Sequence, residues 1–460
     1  MELDRPYWNM EIEPKLNTPE MRQMQNDLLV KNIGAMYERI PLNKKRMDEA
    51  GVKPSDIKSL DDLSKIPVYG QPEMRQLLGE IGFDMKKILT MLMGDMADDV
   101  YVMAATSGTT GMPTPYPVVR SGLPMMREMN NRMLWRCGIR PGHKLVLAFG
   151  LSMFLAGAPT LLTLEEFPGI TIIPVGAEAG TARIINFTRL FGGDVLMCTP
   201  SLALHLIERA PEVMGEGVRA LGIKILLCGA EPGAGIPEVR KRIETEYGAK
   251  LFDAGAGAGV SCDYPEYQGM HWIADDMAYY ELVNPETGAS VPLEDGATGL
   301  AAFTTLGTHG SGILGLRMTL GDIHQVFTSP CPCGKSGFRY KVIGRTDDML
   351  KVKGVMVYPA QIKNVVESFI PRTTGEFRIM LDEPPPRVVP PLKLKVEYGE
   401  GVKEGAGLEQ LTAELQERMH QHVKIRPEIH WVEPFSLERS DKKTQYIEKL
   451  YEKKEGGIRQ

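Results

Sequence analysis

With 460 residues the chain exceeds what one ordinary core closes over, so two or more domains are expected. Hydrophobic residues make up 43% and charged residues 24%, the balance of a soluble globular protein, and a net charge of -6 offers no basic surface for nucleic acid or an anionic membrane. No apolar run approaches the roughly 20 residues of a spanning helix, so no membrane span is expected. The opening Met1-Glu2-Leu3-Asp4-Arg5 lacks a basic stretch leading into an apolar one, and six cysteines in a chain of this size do not suggest a disulfide framework. The expectation is a cytoplasmic protein.

Leu28, Leu29, Ile33, Met36 and Ile40 recur at the spacing of one helical face and predict a helix over 20–50. Pro54-Ser55-Asp56 and Ser59-Leu60-Asp61-Asp62 carry turn and N-cap chemistry. The apolar run Val100-Tyr101-Val102-Met103-Ala104 reads as a strand that enters Ala105-Thr106-Ser107-Gly108-Thr109-Thr110-Gly111-Met112-Pro113-Thr114. Glycine lets backbone N–H groups approach an anion closely, and hydroxyls add donors. Successive N–H groups in such a turn form an anion-binding concavity. Ser107, Gly108, Thr109, Thr110 and Gly111 are therefore candidate phosphate contacts, and a ligand-free turn is the competing reading. The Walker A spacing is excluded, because no Gly-Lys-Ser/Thr closes the loop.

A helical stretch follows at about 122–137. From there to about 255, apolar runs alternate with helical segments at 179–191, 201–213 and 236–247. The runs are Leu145–Phe149, Ile170–Val175, Val195–Thr199 and Ile223–Cys228. Continuous apolar strands between helices argue for a parallel sheet covered on both faces. Ligands of such sheets sit beyond the carboxyl ends of the strands. Phe149-Gly150, Thr199-Pro200, Gly229-Ala230-Glu231 and Asp253-Ala254-Gly255 all lie just after a strand and should line one crevice.

After 275 the texture turns to short strands, at 279–283, 300–303, 323–327 and 340–343. A boundary is expected within Gly344–Gly354, giving domains 1–345 (β-rich from about 275 to 343) and 346–460. The second part reads as α+β: a helix at 359–369, strands at 376–381 and 391–398, a helix marked by Leu408, Leu411, Leu415 and Met419, and a last strand at 428–432. Pro384-Pro385-Pro386 cannot join a central ladder. The fold class is α/β with a small α+β C-terminal domain.

Several of these segments resemble, in order, those of the adenylate-forming (acyl-CoA synthetase) superfamily. The Gly/Thr loop resembles its phosphate loop, and Gly229-Ala230-Glu231-Pro232 the segment against adenine. Phe303-Thr304-Thr305-Leu306, Leu316-Arg317 and Gly321-Asp322 resemble the stretch ending in the ribose-binding aspartate. Gly344-Arg345-Thr346-Asp347-Asp348 resembles the interdomain hinge, and Arg439-Ser440-Asp441-Lys442-Lys443 the segment with the mobile catalytic lysine. Ala35–Pro41 and Glu49–Val52 extend the likeness to phenylacetate-CoA ligases, over nearly the whole chain.

The resemblance implies an AMP-forming aryl carboxylate-CoA ligase using ATP, Mg²⁺ and CoA. Lys443 and Arg345 would be catalytic and Asp347 the hinge of a mobile C-terminal domain. Asp322 would hold ribose, and Asp253 and Ala254 would flank the nucleotide. Acyl contacts would come from Phe149, Met153, Phe154, Ala156, Gly157, Thr199, Gly255, Ala256 and Gly257. A homodimer is compatible with the chain. The alternatives are adenylation without CoA transfer, as in coenzyme F390 synthetase, and a degenerate nucleotide-binding homologue.

Two departures bear on this. Met112 stands where the family usually has lysine. Asp253-Ala254-Gly255-Ala256-Gly257-Ala258-Gly259 replaces a segment in which tyrosine packs on adenine and glutamate holds Mg²⁺. A crevice widened for a larger aromatic acid is the expectation, and loss of adenylation the alternative. Independently, Cys262, His271, Cys331 and Cys333 form a Cys₃His set suited to structural zinc, which some relatives share. Cys137, Cys198 and Cys228 lie in apolar runs and are expected in the core.

Overall fold

The computed structural model describes residues 4–82, 84–105, 114–255, 258–307, 315–402, 405–438 and 446–451. They form two compact units: Met1–Ala230 with Ile243–Lys341, and Glu231–Arg242 with Val342–Gln460.

The first unit opens on helices Pro19–Arg39 and Pro41–Glu49 where one continuous helix was predicted. Pro41 explains the break. A proline pushes the preceding residue out of the helical region, and Ile40 sits at φ -111°, ψ 102°. The periodic face itself is buried through Leu29, Ile33, Met36 and Ile40. Next comes an antiparallel ribbon, β1 (Val100–Ala105) and β2 (Pro115–Val119), with Ala105 opposite Pro115. Helices Gln71–Ile81 and Met85–Met93, which periodicity did not predict, precede it.

The alternating segments then form a parallel layer from β3 (Lys144–Leu147), β4 (Thr171–Pro174), β5 (Val195–Cys198), β6 (Ile225–Gly229) and β7 (Lys250–Gly255). Their spatial order is β4-β3-β5-β6-β7, so the direction of winding reverses between β3 and β5. Helices Thr181–Phe191, Pro200–Met214 and Pro237–Tyr247 connect the strands. Leu145, Leu147, Val195, Met197, Leu227 and Phe252 join one apolar core there. Cys137, Cys198 and Cys228 are buried, as expected.

Beyond β7 the same sheet turns antiparallel. It continues through β8 (Gly259–Ser261), β9 (Met270–Trp272), β10 (Ala278–Val283), β11 (Ser290–Val291), β12 (Thr298–Thr305), β13 (Asp322–Phe327) and β14 (Arg339–Arg345). The order from β7 is β8-β9-β14-β13-β12-β10-β11, which completes 12 strands. The β-rich part is thus the antiparallel half of one sheet. The reversal falls on the glycine pair Gly255 and Gly259, which face each other across β7 and β8.

The second unit is α+β. A four-stranded sheet contains Thr373–Leu381, Lys393–Tyr398, Glu428–Val432 and Ile447–Lys449, and a three-stranded one contains Leu350–Val352, Val355–Val357 and Arg387–Val388. Helices Pro359–Glu367 and Ala406–Val423 bury Ile362, Val366, Leu415 and Met419 against Phe377 and Leu394.

Candidate active site and metal centre

A doubly wound sheet exposes its crevice where strand order reverses, outside the carboxyl ends. Here that point lies between β3 and β5, flanked by Phe149-Gly150 and Thr199-Pro200. Register extends the row: Cys198 pairs with Cys228, Cys228 with Asp253, and Gly229 with Ala254. Thr199, Gly229, Asp253 and Ala254 therefore stand side by side at one end of the sheet. Gly229 cannot carry a side chain, since a Cβ would lie 2.4 Å from the Ala254 carbonyl oxygen. Ala230 follows with φ at +70°, a conformation costing a non-glycine residue about 1–3 kcal/mol. Thr199 has a structural task as well, because its hydroxyl accepts from Leu202 N at 3.2 Å and caps the helix Pro200–Met214.

The loop after β3 is pinned at several points. Ala105 N, at the end of β1, donates to Met153 O at 2.7 Å, and Gly157 N donates to Phe154 O at 2.9 Å. Glu178 accepts from Leu151 N at 3.1 Å and Ser152 N at 3.3 Å. Partial desolvation pushes the pKa of exposed Glu178 up, but the backbone N–H groups of Glu178 itself, Leu151 and Ser152 outweigh it and hold the carboxyl below its usual range. Sequence reasoning missed Glu178, a single acid in an unremarkable turn. A Cβ on Gly157 would lie 1.8 Å from Gly150 O, so the loop closes tightly on itself. Phe149 is buried and Ala156 packs on the core, while Met153 and Phe154 are 54% and 36% exposed.

Asp253 accepts from the Tyr267 hydroxyl at 2.6 Å, and its N–H donates to Ser261 Oγ at 2.9 Å. Asp322 is half-buried at the first position of β13, after Gly321 at φ +90°. Arg317 is a strut: fully buried, it donates to both Glu281 oxygens at 2.8 and 2.9 Å and to Ile66 O at 2.7 Å. In the second unit, Arg345 grips Asp347 with two hydrogen bonds of 2.9 and 3.3 Å. Glu231 and Pro232 also belong to that unit, where buried Lys363 donates to Pro232 O at 2.9 Å. Ser107, Gly108, Thr109, Thr110, Gly111, Met112, Ala256, Gly257 and Lys443 lie outside the described residues.

The expected widening at the Ala/Gly run finds no support at its two described glycines. A Cβ on Gly259 would lie 2.0 Å from the Tyr340 hydroxyl, and one on Gly255 would lie 3.0 Å from Met270 Sδ. Side chains from β14 and β9 already fill that volume.

The Cys₃His set does assemble. All four ligand atoms lie within 4.8 Å of one another. Cys262 follows β8, His271 is central in β9, and Cys331 and Cys333 occupy the turn before β14. Cys262 Sγ is 3.8 Å from Cys331 Sγ, and Cys333 Sγ is 3.5 Å from His271 Nε2. At Zn–S of about 2.3 Å and Zn–N of about 2.0–2.1 Å, tetrahedral edges are about 3.8 Å between sulfurs and about 3.5 Å between sulfur and nitrogen. The donor set therefore fits zinc in identity and spacing. His271 Nδ1 lies 3.0 Å from Ser336 O, which fixes the tautomer and turns Nε2 toward the thiols. Hydrogen bonding from Cys333 holds the Cys262 thiol well below its usual range, and the same bond pushes Cys333 up.

Comparison with known proteins agrees with this architecture. Residues 354–449 match the AMP-binding enzyme C-terminal domain family. The chain is 31% identical to the phenylacetate-coenzyme A ligase of Thermus thermophilus, over 91% of this chain and 92% of that protein. It is 28% identical to that of Aromatoleum evansii, over 93% and 94%. A solved 2-hydroxyisobutyryl-CoA ligase, in its postadenylation state with 2-HIB-AMP, superposes with a TM-score of 0.84 at 25% identity, covering 99% of this chain and 95% of that one. Fold, site and relatives together define an AMP-forming acid–CoA ligase whose co-substrates are ATP and CoA. Within that class the chain belongs to the phenylacetate-CoA ligase family of the adenylate-forming superfamily. CoA transfer is thus the reaction of its class. Among the described residues, no helix is long and apolar enough to cross a membrane.

Proposed function

We propose that the acid activated by this ligase is an aromatic monocarboxylate with a single ring, phenylacetate being the reference substrate. The carrying observation is the apolar loop 149–157 beside the reversal of strand order, with Met153 and Phe154 exposed at its tip. Apolar walls with few polar groups suit an aryl ring. The filled space at Gly255 and Gly259 argues for one ring over several.

In the first half-reaction a carboxylate oxygen bonds to the α-phosphorus of ATP and the bond to pyrophosphate breaks. In the second, the CoA thiolate sulfur bonds to the acyl carbon and AMP leaves. We assign the triphosphate to the N–H groups and hydroxyls of Ser107, Gly108, Thr109, Thr110 and Gly111, ribose to Asp322, and the adenine flanks to Gly229–Pro232 with Asp253 and Ala254. Lys443 stabilises negative charge gathering at the α-phosphate, a preorganised electrostatic task. Mg²⁺ bound with the nucleotide would supply further screening of the phosphate charge. The segment 346–460 moves about Asp347, and Arg345 holds that carboxylate until it meets nucleotide. Zinc held by Cys262, His271, Cys331 and Cys333 would be structural, because protein would fill all four positions.

Pyrophosphate release across phenylacetate, 2-naphthylacetate and 2-hydroxyisobutyrate tests the acid. Phenylacetate should give the highest kcat/KM, and preference for the hydroxy acid would overturn the aromatic reading. Lys443→Ala should abolish acyl-AMP formation while sparing thioester formation from supplied acyl-AMP. Equal loss of both halves would reject the role given to Lys443.

A further inference from the structure

Tyr340 and Met270 belong to none of the segments that resemble family motifs, yet they meet beneath the Ala/Gly run. They are register partners across antiparallel β14 and β9, and so share one face of the sheet. His271 and Arg339, the next pair, take the opposite face. The Tyr340 hydroxyl donates to Gly255 O at 3.0 Å, at the carboxyl end of β7. The same hydroxyl occupies the place of a side chain at 259, and Met270 Sδ and Cε, each 3.0 Å from where a Cβ would stand, crowd one at 255.

Tyr340 is held from below. Tyr340 is fully buried and stacks on His324 at 4.5 Å and 12°. His324 Nδ1 is 2.9 Å from the Tyr280 hydroxyl, and Tyr280 packs edge-on against Phe338 at 4.9 Å. Interiors packed this closely transmit the loss of a few atoms to whatever rests on them. Gly255 and Gly259 have no side chains with which to set their own height.

We propose that Tyr340 and Met270 are positioning residues that set the depth of the acid pocket, replacing from behind the side chains that the Ala/Gly run lacks. Removing either support lets the backbone at Gly255 and Gly259 recede and admits a longer acid. The inference rests on the reading of that backbone as a wall of the acid site.

The test compares wild type, Tyr340→Phe and Met270→Ala by pyrophosphate release with phenylacetate and 2-naphthylacetate. Tyr340→Phe removes one hydroxyl and keeps the ring stack, so the variant should fold. Met270→Ala removes three heavy atoms facing away from the cysteine cluster. Because one methylene in an apolar pocket changes discrimination about tenfold or more, the two-ring to one-ring ratio of kcat/KM should rise about tenfold in Met270→Ala. A smaller rise is expected in Tyr340→Phe, with KM for CoA unchanged in both. A ratio unmoved in both variants overturns the proposal, and so does a uniform fall in kcat for every acid alongside a lowered melting temperature. If wild type takes neither aromatic acid, the aromatic reading has failed. The ratio is then read between the shortest and longest acids that wild type accepts, and it decides the positioning role by the same outcomes.

Discussion

Asp275 shows how one buried carboxyl can shape the pH response of the first unit. It lies in the turn after β9, and burial pushes it up to about 7 although Asn17 N donates to it at 2.8 Å. A carboxyl raised above its unfolded value near 3.9 binds its proton more tightly when native. That contribution is complete below about pH 4 and is lost as pH rises through about 7. An asparagine side chain mimics the protonated form, so Asp275→Asn should unfold at a higher temperature than wild type at pH 8 and at the same temperature at pH 4. Melting curves at the two values check this. No feature of the local sequence separates Asp275 from Asp276, which instead faces Arg132 at 2.6 Å.

Among the elements, the parallel strands were readable from their continuous apolar runs, since burial on both faces writes itself into residue type. Three-residue strands such as β8 and β9 leave no such mark, and the β7–β8 reversal they create went unpredicted. The four metal-ligand candidates were recognisable by chemistry alone. Their meeting depends on those short strands. Least readable was the filling of the glycine positions, because Tyr340 lies 85 residues from the carbonyl it touches. The loop after β3 was read as an acid wall, but its anchor, Glu178, was not. Truncating that anchor removes two backbone hydrogen bonds at an exposed site, worth about 0.5–1.5 kcal/mol each. Glu178→Ala should therefore raise KM for the acid several-fold with KM for CoA unchanged, and Glu178→Gln should recover part of the loss. Steady-state kinetics with each substrate varied in turn would show it.

At the scale of the molecule, the cysteine–histidine cluster joins three separated points of the antiparallel half-sheet. Metal that binds folded protein and not unfolded chain adds its binding energy to stability. Removal of the metal, or Cys331→Ser with Cys333→Ser, should release about one equivalent of zinc and lower the melting temperature of the first unit. Adenylation measured well below that temperature should persist, since the cluster is closed to substrate. Elemental analysis of undenatured protein and scanning calorimetry would decide both points.

Trp8, Trp135 and Trp272 belong to the first unit, and Trp431 alone represents the second, its indole N–H donating to Thr412 Oγ1 at 2.8 Å. The chain has four tryptophans in all. Replacing the other three with phenylalanine leaves a single tryptophan, inside the smaller body. Its emission would then follow that body's denaturation, and its response to nucleotide or thiol, without any attached dye.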